Sequence, residues 1–183
     1  YYITQKVGEG AASIVYKAKD LKEHIDVVLK IPKETIRTKD LSNVTLFSQQ
    51  MKRFLFLKSS HIVNIYDVLQ FDNFPVLVCE YVEGVSLSEY LKNQKTVDID
   101  RMVSIVIEIL KGLELIHSHG IVHRDVKPSN IMLEGDTLKA KIADFGLALL
   151  LDFSQIEEVV QAVGTLSYMS PEQTGILKKP LDG

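Results

Sequence analysis

The hydrophobic period of this chain changes once, near residue 83, and that change limits the fold more than any other feature. Before it, apolar and polar residues alternate as in half-buried strands, over 2–7, 13–18 and 26–31 and then over 62–69 and 76–79. Gly8-Glu9-Gly10 turns the first strand into the second. Between the third and fourth, Leu46, Phe47, Met51, Phe54, Leu55 and Leu57 fall near helical spacing, which predicts one amphipathic helix within residues 41–58. Gly84 breaks the pattern. After it, Ser86 is suited to cap a short helix through Leu91. Asp100 is suited to cap a long one that buries Val103, Val106, Ile107, Leu110, Leu113 and Ile116 and ends at Gly120. Residues 121–133 read as a loop flanked by short apolar segments and 138–143 as another strand; beyond Leu151 the pattern dissolves into a long loop. The expectation is an α+β chain of two parts, 1–82 mainly antiparallel strand with one helix, and 83–183 mainly helix.

Composition excludes several classes of function. A net charge of -3 supplies no basic field for nucleic acid or an anionic lipid surface. The longest apolar stretches, such as 147–151, fall far short of the roughly 20 residues a membrane-spanning helix needs. Cys79 is the single cysteine, so no internal disulfide can form and the cytoplasm is the expected setting. The chain opens at Tyr1 inside a strand pattern, without an initiator Met or a basic-then-apolar leader, as expected of a piece of a longer protein.

Four segments carry possible chemistry. Gly8-Glu9-Gly10-Ala11-Ala12-Ser13-Ile14-Val15 lies between two strands, where small residues let backbone amides approach a polyphosphate. A plain hairpin turn explains it about as well. A dinucleotide fingerprint would require a helix next. Lys30 ends the apolar run Val27-Val28-Leu29; such a lysine is usually a solvated strand residue, but beside the glycine turn it could reach phosphate oxygens.

His123-Arg124-Asp125-Val126-Lys127-Pro128-Ser129-Asn130 is the most specific segment. Its aspartate can orient a hydroxyl and accept a proton, its amide oxygen can ligate Mg²⁺, and its lysine can offset charge on a transferring phosphoryl group. Asp144-Phe145-Gly146 offers a hard carboxylate of the kind Mg²⁺ prefers, although alone it is a common turn tripeptide.

Together with Gly164-Thr165-Leu166-Ser167-Tyr168-Met169-Ser170-Pro171-Glu172, these segments occur in the order and spacing of the protein-kinase signature set. Over essentially its whole length the chain resembles a eukaryotic-type serine/threonine protein kinase domain. The resemblance implies a bilobal fold, ATP and Mg²⁺ as cofactors, and a protein substrate. It implies that Lys30 pairs with the α- and β-phosphates while Gly8, Glu9, Gly10 and Val15 cover the nucleotide. Val28 and Met132 would enclose the adenine, Cys79 would stand as gatekeeper, and Glu80-Tyr81-Val82 would be the hinge. Asp125 would be the catalytic base, Lys127 would contact the γ-phosphate, and Asn130 and Asp144 would hold magnesium. Lys127 and Thr165 resemble serine/threonine rather than tyrosine kinases. The segment 168–175 resembles kinase domains at the front of bacterial hybrid sensor proteins, which implies an ATPase module and a histidine kinase further along the parent chain.

Departures from the family's pattern are informative. Gln50 stands where a glutamate would pair with Lys30, with Glu34 as another carboxylate nearby. Ser13 replaces the third glycine, and Val28 adds two methyl groups over the adenine position. Gln161 occupies the usual phosphothreonine position, so Glu157 or Glu158 is expected to stand in for the phosphate that Arg124 would clasp. An unchanged rate when both become Gln removes that idea. The family continues into further helices beyond the Pro-Glu motif, and without them the stripe on the long helix is expected to lack cover. The rival reading is a pseudokinase, a nucleotide-sensing scaffold without phosphoryl transfer.

Overall fold

The computed structural model describes residues 1–10, 13–33, 48–49, 51–71, 74–94, 96–144 and 166–171. It divides the chain into two compact units, Tyr1–Lys58 with Val63–Tyr81, and Ser59–Ile62 with Val82–Gly183.

Five strands form the first unit's antiparallel sheet: β1 (Tyr2–Glu9), β2 (Ser13–Lys19), β3 (Asp26–Pro32), β4 (Ile65–Phe71) and β5 (Phe74–Glu80), in the order β1-β2-β3-β5-β4. Directly opposed residues of an antiparallel pair share a face, so register assigns side chains to the two faces. Ala18 opposes Val27 and Leu29 opposes Val78; with Val76 these make the apolar cluster on one face, joined by Tyr16, Ile31 and Leu69. On the other face lie two rows, Val15–Lys30–Leu77 and Lys17–Val28–Cys79.

The fourth strand begins three residues later than its alternation predicts. Asn64, just before it, is held to the end of β5: its backbone and side-chain amides donate to Glu80 Oε2 at 3.1 and 2.7 Å, and Glu80 N–H donates to its carbonyl at 2.8 Å. Within the helix expected over 41–58, residues 48, 49, 51 and 52 are helical and Arg53–Phe56 tighten into a 3-10 turn. Residues 41–47 and 50 lie outside the described residues.

The second unit contains β6 (Gly84–Ser86), α1 (Leu87–Asn93), α2 (Ile99–Ser118), β7 (Ile131–Glu134) and β8 (Lys139–Ile142), with an antiparallel sheet ordered β6-β7-β8. Ser86 caps α1 as expected, its Oγ accepting from Glu89 N–H at 3.1 Å. The cap of α2 is Asp98, not Asp100: Asp98 is extended and its Oδ1 accepts from Arg101 N–H at 3.2 Å, which leaves Asp100 inside the first turn. Gly120 closes α2 at φ 69°, with Gly120 N–H donating to His117 and Ile121 N–H to Ile116. That double bond is the Schellman arrangement, and its left-handed residue is one a glycine adopts without strain.

The buried stripe on α2 is also corrected. Ile105, Gly112 and Ile116 are buried, whereas Val103, Val106, Ile107 and Leu110 are exposed. This helix is apolar around most of its circumference, so periodicity alone does not select the inward side. Contact with β8 selects it. Gly112 passes so close that a Cβ there would lie 2.7 Å from the His61 carbonyl oxygen and 2.8 Å from Ile142 Cδ1. The Ser59–Ile62 segment is tied down beside it, since Ile142 N–H donates to His61 at 2.9 Å and Ile62 forms an isolated parallel bridge to Ile142. Among the described residues no helix is long and apolar enough to cross a membrane.

Candidate active site

The second unit supplies a loop, residues 123–130, whose shape is set by hydrogen bonds it makes to itself and to the strand end at Ala143. His123 is 1% exposed. Its Nε2 lies 2.9 Å from the Ala143 carbonyl, which can only accept, and its Nδ1 receives the Asp125 N–H at 3.2 Å. These bonds require the neutral imidazole with its proton on Nε2. Ala143 N–H in turn donates to the Asn130 carbonyl at 2.8 Å. The residue before Asp144 is therefore fixed to both ends of the loop that carries Asp125. The 3-10 turn Pro128–Asn130 closes the loop and packs on α1.

Within this frame the polar side chains converge. The Asn130 side-chain amide donates to the Asp125 carbonyl and to Asp125 Oδ2, both at 2.8 Å. Lys127 Nζ lies 2.8 Å from the same Oδ2. With Oδ2 doubly engaged, Asp125 Oδ1 is the oxygen available to an incoming hydroxyl. Arg124 and Asp144 both take left-handed backbone conformations, at φ 65° and 67°. Aspartate tolerates that region; for arginine it costs about 1–2 kcal/mol, and such strain persists only where neighbouring bonds enforce it.

The donor chemistry also suits a hard cation. Because the Asn130 side-chain nitrogen is committed to Asp125, its side-chain Oδ1 is left to ligate, and Asp144 brings a carboxylate. Among the described residues there is no cluster of three or more His, Cys, Asp or Glu. Two oxygen ligands suffice for Mg²⁺, which keeps waters and substrate phosphates in its remaining positions.

In the first unit, Val15, Val28, Lys30 and Cys79 occupy the sheet face opposite the apolar cluster. Burial pushes the Lys30 ammonium below its ordinary value and the Cys79 thiol above its own, each moderated by the other. Gly8 and Gly10 have ordinary negative φ, and a Cβ at either would meet its nearest atom at 3.9 Å. Among the described residues no packing contact demands glycine at these two positions, and close approach by a ligand is a reason for it that remains. Glu9 is engaged on both sides, Oε2 to Lys6 and Oε1 to Lys33 at 2.6 Å each, and these ammonium groups lower its carboxyl to about 2. The Glu80 N–H and carboxylate both engage Asn64.

Val82 and Met132 belong to the second unit. Val82 is buried; Met132 is half-buried in the row Ser86–Met132–Lys141. Gln50, Glu34, Phe145, Gly146, Glu157, Glu158, Gln161, Gly164, Thr165 and Glu172 lie outside the described residues. Sequence reading missed the roles of His123 as a staple, of Asn64, and of Gly84, whose Cβ would lie 1.9 Å from the Leu133 carbonyl oxygen. For Gly84 the available signal was a glycine where helix or strand formers would serve better.

A family model of the protein kinase domain matches residues 1–180. A probable serine/threonine-protein kinase of Clostridium acetobutylicum is 35% identical over 173 residues, covering 94% of this chain and 26% of that protein. The serine/threonine-protein kinase PknB of Mycolicibacterium smegmatis is 32% identical over 179 residues, covering 94% and 28%. Among solved structures, Rad53 in complex with AMP-PNP matches with a TM-score of 0.75 at 30% identity, covering 94% of this chain and 42% of that one. The PknI kinase domain of Mycobacterium tuberculosis matches in fold, with a TM-score of 0.70 at 22% identity over 79% of this chain and 58% of that one. The chain spans about a quarter of the length of the curated relatives it matches.

Proposed function

Since the chain belongs to the protein kinase family, we propose that it transfers the γ-phosphoryl group of ATP to serine or threonine hydroxyls of protein substrates. The observation that carries this reading is the engagement of a single Asp125 oxygen by both Lys127 and Asn130, in a loop stapled to the residue before Asp144.

Asp125 Oδ1 accepts the hydrogen bond of the substrate hydroxyl and aims its oxygen at the γ-phosphorus. As that oxygen–phosphorus bond forms, the bond to the β–γ bridging oxygen breaks, ADP leaves with the electron pair, and the hydroxyl proton passes to Asp125. Lys127 offsets charge on the transferring group and Lys30 holds the α- and β-phosphates; fixed cations of this kind act on charge as it develops. The glycines at 8 and 10 let the strand turn lie against the phosphates, Val15 and Val28 pack on the base, and the Glu80–Val82 backbone meets its polar edge with Cys79 behind it. Met132, in the second unit, is also assigned to the base. Asn130 and Asp144 would hold Mg²⁺, which neutralises phosphate charge when bound.

The setting that fits a lone buried cysteine is the reducing cytoplasm. The length of the relatives beyond the matched quarter supports a parent chain with further domains, for which we propose a signalling role. The test is transfer of radiolabelled γ-phosphate by the full-length protein, with Asp125→Asn as control. Transfer abolished in that variant while ATP binding persists is expected. Binding without transfer in the unaltered protein would instead identify a nucleotide-sensing scaffold.

A further inference from the structure

Lys17 sits on the sheet face just assigned to the nucleotide, opposite Val28 and in one row with Cys79. A lysine there could serve as a phosphate ligand, yet its ammonium is already occupied. Nζ lies 3.8 Å from the centroid of the Tyr81 ring and 2.9 Å from Asp26 Oδ2. The contact joins three places in the chain: the middle of β2, the first residue of β3, and the residue that follows β5. Lys17 is only 25% exposed at its side chain, and a partly desolvated ammonium over an aromatic face is held more firmly than an exposed one.

Tyr81 directly follows Glu80, whose N–H and carboxylate are bound by Asn64 on the β4 side. The chain leaving β5 is thus gripped from β4 through Glu80 and from β2 through Tyr81. We propose that Lys17, with Asp26 as its counter-charge, is a positioning residue that latches Tyr81 and thereby sets the 80–82 backbone for the adenine base. This inference rests on the kinase reading above and extends it to a group that touches neither the reacting atoms nor the phosphates.

A residue that orders the base-binding segment acts on nucleotide affinity, not on the chemical step. In the full-length protein, Lys17→Met is expected to raise the KM and Kd for ATP by about 3- to 20-fold with kcat within about twofold. Tyr81→Leu should reproduce that loss, the double variant should be no worse than either single one, and Lys17→Arg and Tyr81→Phe should restore near-normal affinity. Thermal melting of each variant accompanies the kinetics; where Lys17→Met melts early, the Tyr81→Phe and Tyr81→Leu pair carries the comparison. Additive losses in the double variant, an unchanged ATP affinity, or a fall in kcat alone would overturn the latch while leaving the kinase reading intact. An unaltered protein that binds no ATP would remove that reading and the latch with it.

Discussion

Asn130 donates its side-chain amide to both the carbonyl oxygen and the Oδ2 of Asp125, at 2.8 Å each, from a position only 5% exposed. One side chain thereby fixes the backbone and the carboxylate of the proposed base. Asn130→Ala leaves the Asp125 carbonyl without its buried donor and frees the carboxylate to rotate. The expected outcome is a stability loss of about 1–3 kcal/mol in denaturant titration and a fall in turnover of about 10²-fold or more. Normal stability with normal turnover would show that the amide is incidental.

The glycines divide into two kinds, and stability separates them. Gly84→Ala would put a methyl 1.9 Å from the Leu133 carbonyl oxygen, so the β6–β7 pairing must shift, at a cost of about 3 kcal/mol or more. Gly8→Ala and Gly10→Ala find 3.9 Å of clearance and should leave the melting temperature within about 2 °C. The latter two should nonetheless raise the KM for ATP severalfold. Equal melting losses at all three positions would contradict the assignment of Gly8 and Gly10 to a ligand.

Lys30 is a case where stability and function oppose each other. Burial lowers its folded pKa, so the folded state binds its proton less readily than the unfolded chain does. That penalty is fully present below the folded value and fades as pH rises through it toward the unfolded one. Lys30→Met removes the penalty. The variant is expected to melt no lower than the unaltered protein at pH 7 while losing about 10²-fold or more of its phosphoryl transfer. A lower melting point with retained transfer is the opposite result, and it would dismiss Lys30 as a phosphate ligand.

Glu9 gives a pH test of the opposite sign. Its carboxyl falls from 4.5 to about 2 between Lys6 and Lys33, so whatever the clasp contributes is present above 4.5 and lost as pH drops through about 2. The difference in melting temperature between the unaltered protein and Glu9→Gln should stay constant from about pH 8 to 5 and shrink below that. Molar salt should shrink it too, because Lys6 and Glu9 are exposed and Lys33 is partly so. A difference that grows on acidification would mean that the two lysines do not hold the carboxylate.

How much of this was legible in the sequence follows from the range of the forces involved. Strand alternation located β1, β2, β3 and β5 within about two residues, because one face is buried and period-2 patterning records that directly. The three-residue β6 and four-residue β7 carried no readable period; Gly84 looked like a breaker although it is a strand residue pressed against Leu133. Asp98 and Asp100 offer the same capping chemistry two residues apart, so composition could not choose between them. The motif residues were legible as types at fixed spacings. What holds them was not, since the His123–Ala143 bond spans 20 residues and the Asn64–Glu80 bonds span 16.

Gly112 sets two opposed effects against each other. In an isolated helix, Gly112→Ala should stabilise α2 by about 0.8–1 kcal/mol, because alanine loses less backbone freedom than glycine on folding. In the folded chain the new methyl lies 2.7 Å from the His61 carbonyl and 2.8 Å from Ile142 Cδ1. The isoleucine tip can rotate away, but the carbonyl is fixed by the Ile142 N–H at 2.9 Å. Relief therefore requires α2 to back off from the Ser59–Ile62 segment and β8, and overpacking of this sort costs about 1–3 kcal/mol. Packing outweighs propensity, so net destabilisation of about 1–2 kcal/mol is expected in urea titration. Hydrogen exchange at Ile142 N–H should quicken in the same variant. A stabilised Gly112→Ala protein would mean that helix and segment stand further apart than 2.7 Å allows.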